Sequence, residues 1–166
     1  MKKIIFLSVI FVSLFPLKTF AQYEGTVGLG AHAGYTTSIK SVGAGVNLHY
    51  YHTNRTRLAP SFTYYLPRKG QSVWQIDADA HYVLPVSWLF SVYPIAGLNY
   101  SHFKLDASKS SAAGEQDWTK HRIGANLGLG LQYDFGYKTR VSLEYKYQFI
   151  KDFSQSAVMV GVGFWI

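Results

Sequence analysis

The stretch from Thr139 to Phe149 has the strictest alternation of apolar and polar residues in the chain. Five of its six odd-numbered residues are apolar, and all five even-numbered residues are polar. Because successive side chains of a β-strand point to opposite faces, this period of two predicts a strand with one apolar and one polar face. A soluble sheet turns the apolar face inward, whereas a transmembrane barrel turns it outward. The two alternatives predict opposite positions for Leu143 and Ser142.

Seven further segments alternate in the same way, which makes eight predicted strands in all. Trp88–His102 is the least regular of them, because Pro94 interrupts it and both of its faces are mixed. An even number of strands is typical of single-chain bacterial barrels. The predicted strands are Tyr23–Tyr35, Val42–Tyr50, Arg57–Leu66, Ser72–Leu84, Trp88–His102, His121–Tyr133, Thr139–Phe149 and Ser156–Ile166.

The composition fits a single all-β domain. The chain contains 13 Tyr, 11 Phe, 4 Trp and 15 Gly, and no long window has the spacing of an amphipathic helix. Since there is no cysteine, neither disulfides nor thiol chemistry can contribute.

The N-terminal residues predict a cleaved signal peptide over residues 1–21. Two lysines precede an apolar run, Ile4–Phe15, and small residues at Thr19 and Ala21 fit a cleavage site. The alternative, a membrane anchor, needs about 20 apolar residues to span. Cleavage leaves a barrel domain of residues 22–166 with 13 Lys and Arg against 9 Asp and Glu. Its net charge of +4 is too modest to indicate nucleic acid as a partner.

Glycines and connections favour lipid outside the barrel. Ten glycines share the polar face, where they are a poor soluble surface but leave room for long side chains in a narrow lumen. Short links at Tyr51–Thr56, Pro85–Ser87 and Asp134–Lys138 contrast with the long hydrophilic segment Phe103–Lys120. We therefore predict an eight-stranded antiparallel up-and-down transmembrane β-barrel, with a soluble lipocalin-type barrel as the alternative.

The ends of the apolar face carry aromatic residues, as expected at the two membrane interfaces. The last strand alternates apolar residues up to the final residue, which is typical of a C-terminal insertion signal. The predicted interface aromatics are Tyr35, Tyr50, Tyr64, Tyr82, Tyr100, Tyr133, Phe149 and Phe164, and the predicted insertion signal is Val162, Phe164 and Ile166.

With this leader, strand pattern and C-terminus, the chain resembles the small eight-stranded outer-membrane β-barrel family of OmpX-like, OmpA membrane-domain-like and opacity-type proteins. The resemblance implies a location in the outer membrane of a Gram-negative bacterium. It also implies a role in envelope structure, adhesion or surface interaction, without catalysis or cofactor. The expected partners are outer-membrane lipid, lipopolysaccharide and the barrel-insertion machinery, and we expect a monomer. The alternative function is that of a narrow porin.

Charged residues on the polar face predict a network inside the barrel. Eight strands leave a bore just wide enough for side chains to fill, so we expect a plugged lumen rather than an open channel. Pairing Tyr133 with Thr139 would place Gly128 beside Glu144, which predicts Glu144 as the hub of the network. Its predicted members are Arg57, Asp77, Asp79, Arg122, Arg140, Glu144 and Lys146.

Other residues with chemical potential carry weaker predictions. The inward histidines His32, His49 and His81 lack the spacing of a metal site. A lipid A-modifying enzyme could use His102, Asp106, Ser108 and Ser110, but such residues are common in any exposed loop, and we predict no catalytic residues. Cations expected on the loop side could bind lipopolysaccharide phosphates or merely keep the rim solvated. They are Lys40, Arg68, Lys69, Lys104, Lys109, Lys120 and Lys151.

Overall fold

The computed structural model describes residues 24–68, 70–105, 118–136, 138–151 and 154–166. Eight long strands follow one another, each antiparallel to the next. A two-residue strand, Leu84–Pro85, continues the fourth strand and pairs with the fifth. The long strands are β1 (Val27–Thr36), β2 (Ser41–Tyr51), β3 (Thr56–Arg68), β4 (Gln71–Tyr82), β5 (Phe90–Leu105), β6 (Trp118–Phe135), β7 (Thr139–Ile150) and β8 (Gln155–Trp165).

The sheet closes on itself between its first and last strands. β1 pairs antiparallel with β8, so that Ala31 lies opposite Val162. Every long strand therefore has two hydrogen-bonded neighbours, and the sheet has no free edge. The prediction of an eight-stranded antiparallel up-and-down barrel is confirmed. Within the described ranges, no helix is long and apolar enough to span a membrane.

The two faces of the barrel have the polarity of a membrane protein. Apolar side chains such as Val46 and Leu143 point outward and are 60% and 46% exposed. Charged side chains point inward, and Arg57 and Asp77 are 0% and 1% exposed. A soluble barrel would place its charges on the outer surface. The lipocalin-type alternative is therefore wrong.

Some connections differ from the sequence-based prediction. Strand pairing runs unbroken through Pro94, which lies opposite Leu129. β5 continues to Leu105 and β6 begins at Trp118, so the segment between them is shorter than predicted and its residues 106–117 lie outside the described ranges. Only four residues separate β1 from β2, and two separate β3 from β4. The expected contrast between short turns and long loops thus depends on a single connection.

The register of β6 and β7 is shifted by two residues from the predicted one. Phe135, not Tyr133, lies opposite Thr139. Gly136 has a φ of +64°, a left-handed conformation that glycine adopts without steric cost, and this allows a tighter turn. As a consequence, Gly130 lies opposite Glu144, whereas Gly128 lies opposite Lys146.

The outward position of Leu143 predicts a depth-dependent cost for a charge on β7. Leu143→Arg places a guanidinium against the hydrocarbon, and we expect a loss of about 2–4 kcal/mol in the free energy of unfolding. Thr139→Arg lies on the same face of the same strand but at its membrane end, where the expected loss is about 0–1 kcal/mol. Urea unfolding in detergent or lipid measures both. Equal losses for the two variants would contradict the proposed lipid-facing surface.

Candidate functional site

An ion cluster in the middle of the barrel joins β7 to β4. The Nζ atom of Lys146 lies 3.1 Å from Oδ2 of Asp77 and 3.0 Å from Oδ2 of Asp79. The three side chains are 5%, 1% and 2% exposed. Because charges removed from water are stable only when they are paired and hydrogen-bonded, this cluster is one electrostatic unit.

Three side-chain amides donate the remaining hydrogen bonds to the two carboxylates. Asn126 Nδ2 lies 3.0 Å from Asp77 Oδ1 and 2.8 Å from Asp79 Oδ1. Asn99 and Gln75 donate to Asp77 at 2.7 Å. These amides come from β4, β5 and β6 and were absent from the predicted network. The inward parity of Gln75 and Asn126 follows from the alternation of β4 and β6, so this signal could have found them, whereas the mixed faces of β5 conceal that of Asn99.

Glu144 is not the hub that the sequence analysis predicted. Its Oε1 atom accepts a hydrogen bond of 2.8 Å from the hydroxyl of Tyr93. Arg57, another predicted member of the network, donates to Gln132 Oε1 at 2.8 Å and contacts His81 Nδ1 at 2.8 Å. Since Lys146 contacts two carboxylates, Lys146 takes the central place. The two-residue shift in register accounts for this difference, because it places Lys146 rather than Glu144 opposite Gly128.

A second ion pair lies nearer the short-turn rim. Arg140 Nε donates to Asp134 Oδ1 at 3.0 Å, and its guanidinium lies 3.7 Å from the centre of the Trp165 ring. The sequence analysis assigned Asp134 to a turn, but β6 extends past it and its side chain is mostly buried. Arg122 is half-buried near the opposite end, where Nη1 donates to the His121 carbonyl oxygen at 3.4 Å.

Two apolar layers enclose the polar centre. Along the chain, Asp77 and Asp79 lie between Val73 of β4 and Val83, which follows β4, and each valine belongs to a different buried cluster. β5 contributes Tyr93, Ile95 and Phe103 to these layers, and the sequence analysis missed them because both faces of this strand are mixed. The layer nearer the rim opposite the chain termini consists of Tyr65, Val73, Phe103, Ala157 and Met159. The layer nearer the short-turn rim consists of Tyr51, Val83, Tyr93 and Ile95, with Trp165 packed against it.

Glycines make room for the aromatic rings of these layers. A Cβ atom at Gly43 would lie 2.5 Å from the Tyr65 ring, and one at Gly28 would lie 2.6 Å from the Trp165 ring. Real Cβ contacts are longer than this. The inward glycines thus accommodate aromatic rings, in addition to the long polar side chains for which the sequence analysis expected them.

Little empty space remains in the polar centre. The cavity bordered by His32, Asn47, Glu144 and Lys146 has a volume of about 10 Å³, close to the minimum for one water molecule. His32 Nε2 lies 2.8 Å from the hydroxyl oxygen of Thr63. Among the described residues, no three side chains of the metal-ligating types lie together.

The predicted interface aromatics all lie on the outer surface and form two groups. Phe164 and Ile166 of the predicted insertion signal are also exposed, as is Val162. Near the short-turn rim lie Tyr50, Tyr82, Tyr133 and Phe164, and near the opposite rim lie Tyr35, Tyr64, Tyr100 and Phe149.

The remaining candidates that the structure describes lie near the rim opposite the chain termini. His102 belongs to β5 and stacks on Trp74. Asp106, Ser108 and Ser110 lie outside the described residues, as do Lys69 and Lys109. The other predicted rim cations are exposed there: Lys40, Arg68, Lys104, Lys120 and Lys151.

A closed sheet with an apolar exterior and a buried polar interior defines a transmembrane β-barrel. The sequence profile of the outer membrane protein beta-barrel domain matches residues 8–164, and the chain belongs to this family. This membership places the protein in the bacterial outer membrane. No curated protein sequence matches the chain.

Solved structures of the same fold are similar to the whole barrel. The N-terminal β-barrel domain of Pseudomonas aeruginosa OprF has 20% sequence identity and a TM-score of 0.68, with 88% of this chain and 100% of that chain covered. Neisserial surface protein A has 19% identity and a TM-score of 0.65, with coverages of 84% and 95%. The attachment invasion locus protein Ail of Yersinia pestis has 18% identity and a TM-score of 0.62, with coverages of 86% and 99%.

The central cluster predicts unequal roles for Lys146 and Glu144. Lys146→Met leaves two buried carboxylates without their cation, and we expect a loss of about 3–5 kcal/mol in the free energy of unfolding. Glu144→Gln is the matched control, because its amide oxygen can still accept the Tyr93 hydrogen bond, and we expect a loss of about 1 kcal/mol or less. Urea midpoints in detergent measure both variants.

A rescue variant separates charge from packing in this experiment. Adding Asp77→Asn and Asp79→Asn to Lys146→Met removes all three charges, and part of the lost stability should return. If Lys146→Met is as stable as the unmodified protein, or if Glu144→Gln loses as much, then Lys146 is not the centre of the network.

Proposed function

We propose that this protein is a non-catalytic outer-membrane barrel that serves envelope structure or surface interaction, with a lumen plugged by its own side chains. The observation that carries the proposal is the contact of Lys146 with Asp77 and Asp79, which crosses the lumen from β7 to β4. A network at this position blocks the path that a solute would take through the barrel. Residues 1–21 are proposed as the cleaved leader, and N-terminal sequencing of the purified protein tests the cleavage after Ala21.

The layers on either side of the network support a plug rather than a pore. An ion moving along the axis would meet the apolar layer around Tyr65 and Phe103, then the ion cluster, and then the layer around Tyr51 and Tyr93. Apolar constrictions exclude ions because the ions would lose their hydration there. Passage would therefore require several buried side chains to move together.

The plug predicts that the protein does not conduct ions. We expect the folded protein to show no sustained current above background in planar lipid bilayers. A barrel of eight strands is too narrow for the conductance of a porin with about 16 strands, so the informative range is that of small channels. Steady open-channel current from protein whose folding is verified by heat-modifiable gel migration would favour the alternative function, a narrow porin.

The charge distribution on the rims supports a surface role. Five described cations are exposed at the rim opposite the termini. In bacterial barrels this rim faces outward, toward lipopolysaccharide. The names of Ail and of neisserial surface protein A indicate attachment and surface exposure for those proteins. We extend this role to the present chain, with lipopolysaccharide phosphates as the proposed contact.

Charge reversal at the two rims tests this contact. Arg68→Glu combined with Lys104→Glu should weaken binding to lipopolysaccharide by about tenfold or more, since each cation near an anionic surface contributes about 1 kcal/mol. The matched control, Arg55→Glu combined with Lys138→Glu, alters the short-turn rim and should change the affinity little. Binding is measured in detergent with labelled lipopolysaccharide. An equal loss from both pairs would contradict a contact specific to the outer rim.

A catalytic function has less support from the described residues. The inward histidines are held in the packed interior, where His81 contacts Arg57 and His32 contacts Thr63. His102 lies against an indole ring on the outer surface. The Thr63 hydroxyl that His32 contacts is buried, so a substrate could not reach this hydroxyl–imidazole pair. We further propose that the protein acts as a monomer without cofactor and that the insertion machinery reads Val162, Phe164 and Ile166.

A further inference from the structure

Two histidines interrupt the apolar outer surface at one place on neighbouring strands. His102 of β5 and His121 of β6 lie directly opposite each other, and their ring centres are 4.7 Å apart in an edge-to-face arrangement. Both point outward, on the same face as Tyr100 and Ile123. Ionisable residues on a lipid-facing surface are rare, and they are functional-site candidates by default.

The position of the pair along β6 coincides with the level of lipid headgroups. The outward residues from Tyr133 to Ile123 span ten residues, which at about 3.3 Å per residue and a tilt of about 40° corresponds to a height of about 25 Å. This equals the apolar band of an outer-membrane barrel. His121 lies two residues beyond Ile123, at the end opposite the chain termini. The two imidazoles therefore lie at the outer interface rather than in the hydrocarbon.

The neighbouring side chains orient both imidazoles, and they favour positive charge on the rings themselves. His102 is stacked on Trp74 at 5.0 Å between ring centres with an interplanar angle of 10°, and the face of an indole attracts a cation. The Tyr100 hydroxyl lies 2.7 Å from His121 Nδ1. When this hydroxyl donates, the ring proton is held on Nε2. Lys104, exposed two residues beyond His102, adds a positive charge on the same face.

We propose that His102 and His121 bind a phosphate group of lipid A in the outer leaflet. A phosphate between two close imidazoles relieves their mutual repulsion when both are protonated, and it accepts hydrogen bonds from both. This inference rests on the proposed contact with lipopolysaccharide and locates it on the outer wall of the barrel, beside the rim cations.

A divalent metal ion is a different ligand that two imidazoles can bind. A metal requires neutral imidazoles, and stable sites have three or four protein ligands. Among the described residues of the neighbouring strands, Tyr100 and Lys104 of β5 are titratable groups on the face of the pair, and β4 contributes the uncharged Trp74. A lysine near the site opposes a cation and favours an anion, so phosphate fits the surroundings better.

Binding of defined lipid A species to the folded protein in detergent tests the proposal. The variant His102→Gln with His121→Gln removes both imidazoles, and His52→Gln removes an exposed histidine from the turn between β2 and β3 as the matched control. The probes are lipid A with both phosphates, fully dephosphorylated lipid A, and Ni²⁺ or Zn²⁺ alone. Heat-modifiable gel migration verifies folding, and His121→Gln alone replaces the double variant if the latter does not fold.

We expect the double variant to bind phosphorylated lipid A about tenfold more weakly, with His52→Gln unchanged. Dephosphorylated lipid A should bind the original and variant proteins equally.

Three outcomes would overturn the phosphate site. Equal affinity of the original and double-variant proteins for phosphorylated lipid A would reject the histidine pair while leaving the rim contact intact. Absence of binding by the unmodified protein would reject both proposals. Metal binding that requires the pair, without any phosphate dependence of lipid A binding, would assign the histidines to a metal ion instead.

Discussion

The hydrogen bonds between β1 and β8 are the interaction on which the rest of the structure depends. Hydrocarbon offers no partner to a backbone amide or carbonyl group, so a sheet is stable in a membrane only when its last strand pairs with its first. Closure with eight strands then sets a narrow bore. Side chains must fill that bore, and the charges among them must be paired. The network around Lys146 thus follows from a constraint on the backbone.

The same network limits how the strands can slide past one another. A shift of β7 by two residues keeps every apolar side chain outward, because side chains alternate with a period of two. Such a shift would, however, bring Glu144 or Gln148 to the position of Lys146, beside Asp77 and Asp79. Only Lys146 supplies a cation there. The buried ion cluster therefore distinguishes between registers that the hydrophobic pattern leaves equivalent, and specificity of this kind is one reason for a protein to retain buried charges.

Registers that differ by two residues share the same hydrophobic pattern, and this accounts for what the sequence analysis could and could not predict. The strand number, the inward and outward faces and the positions of the interface aromatics follow from alternation, which is a local property. The pairing of Phe135 with Thr139 depends on the turn at Gly136, and the pairing of Lys146 with the aspartates depends on residues far apart in the sequence. The prediction of Glu144 as the hub follows from a register two residues away from the observed one. Tyr93 and Ile95 are not identifiable as inward residues from the sequence, because β5 has apolar residues on both of its faces.

Because side chains fill the lumen, the polar groups of this barrel that a ligand can reach lie on its outer surface. The inward residues of the ion cluster, its amides and the two apolar layers contribute to packing, hydrogen bonding or ion pairs, so a change there alters stability before it alters recognition. The outward positions in the apolar band are constrained only to be hydrophobic. The rim opposite the termini and the outer interface are free of both constraints, because water and headgroups satisfy polar side chains there. Exposed cations and the pair of His102 and His121 occur at that level, where a polar ligand can reach them without desolvating the core of the membrane.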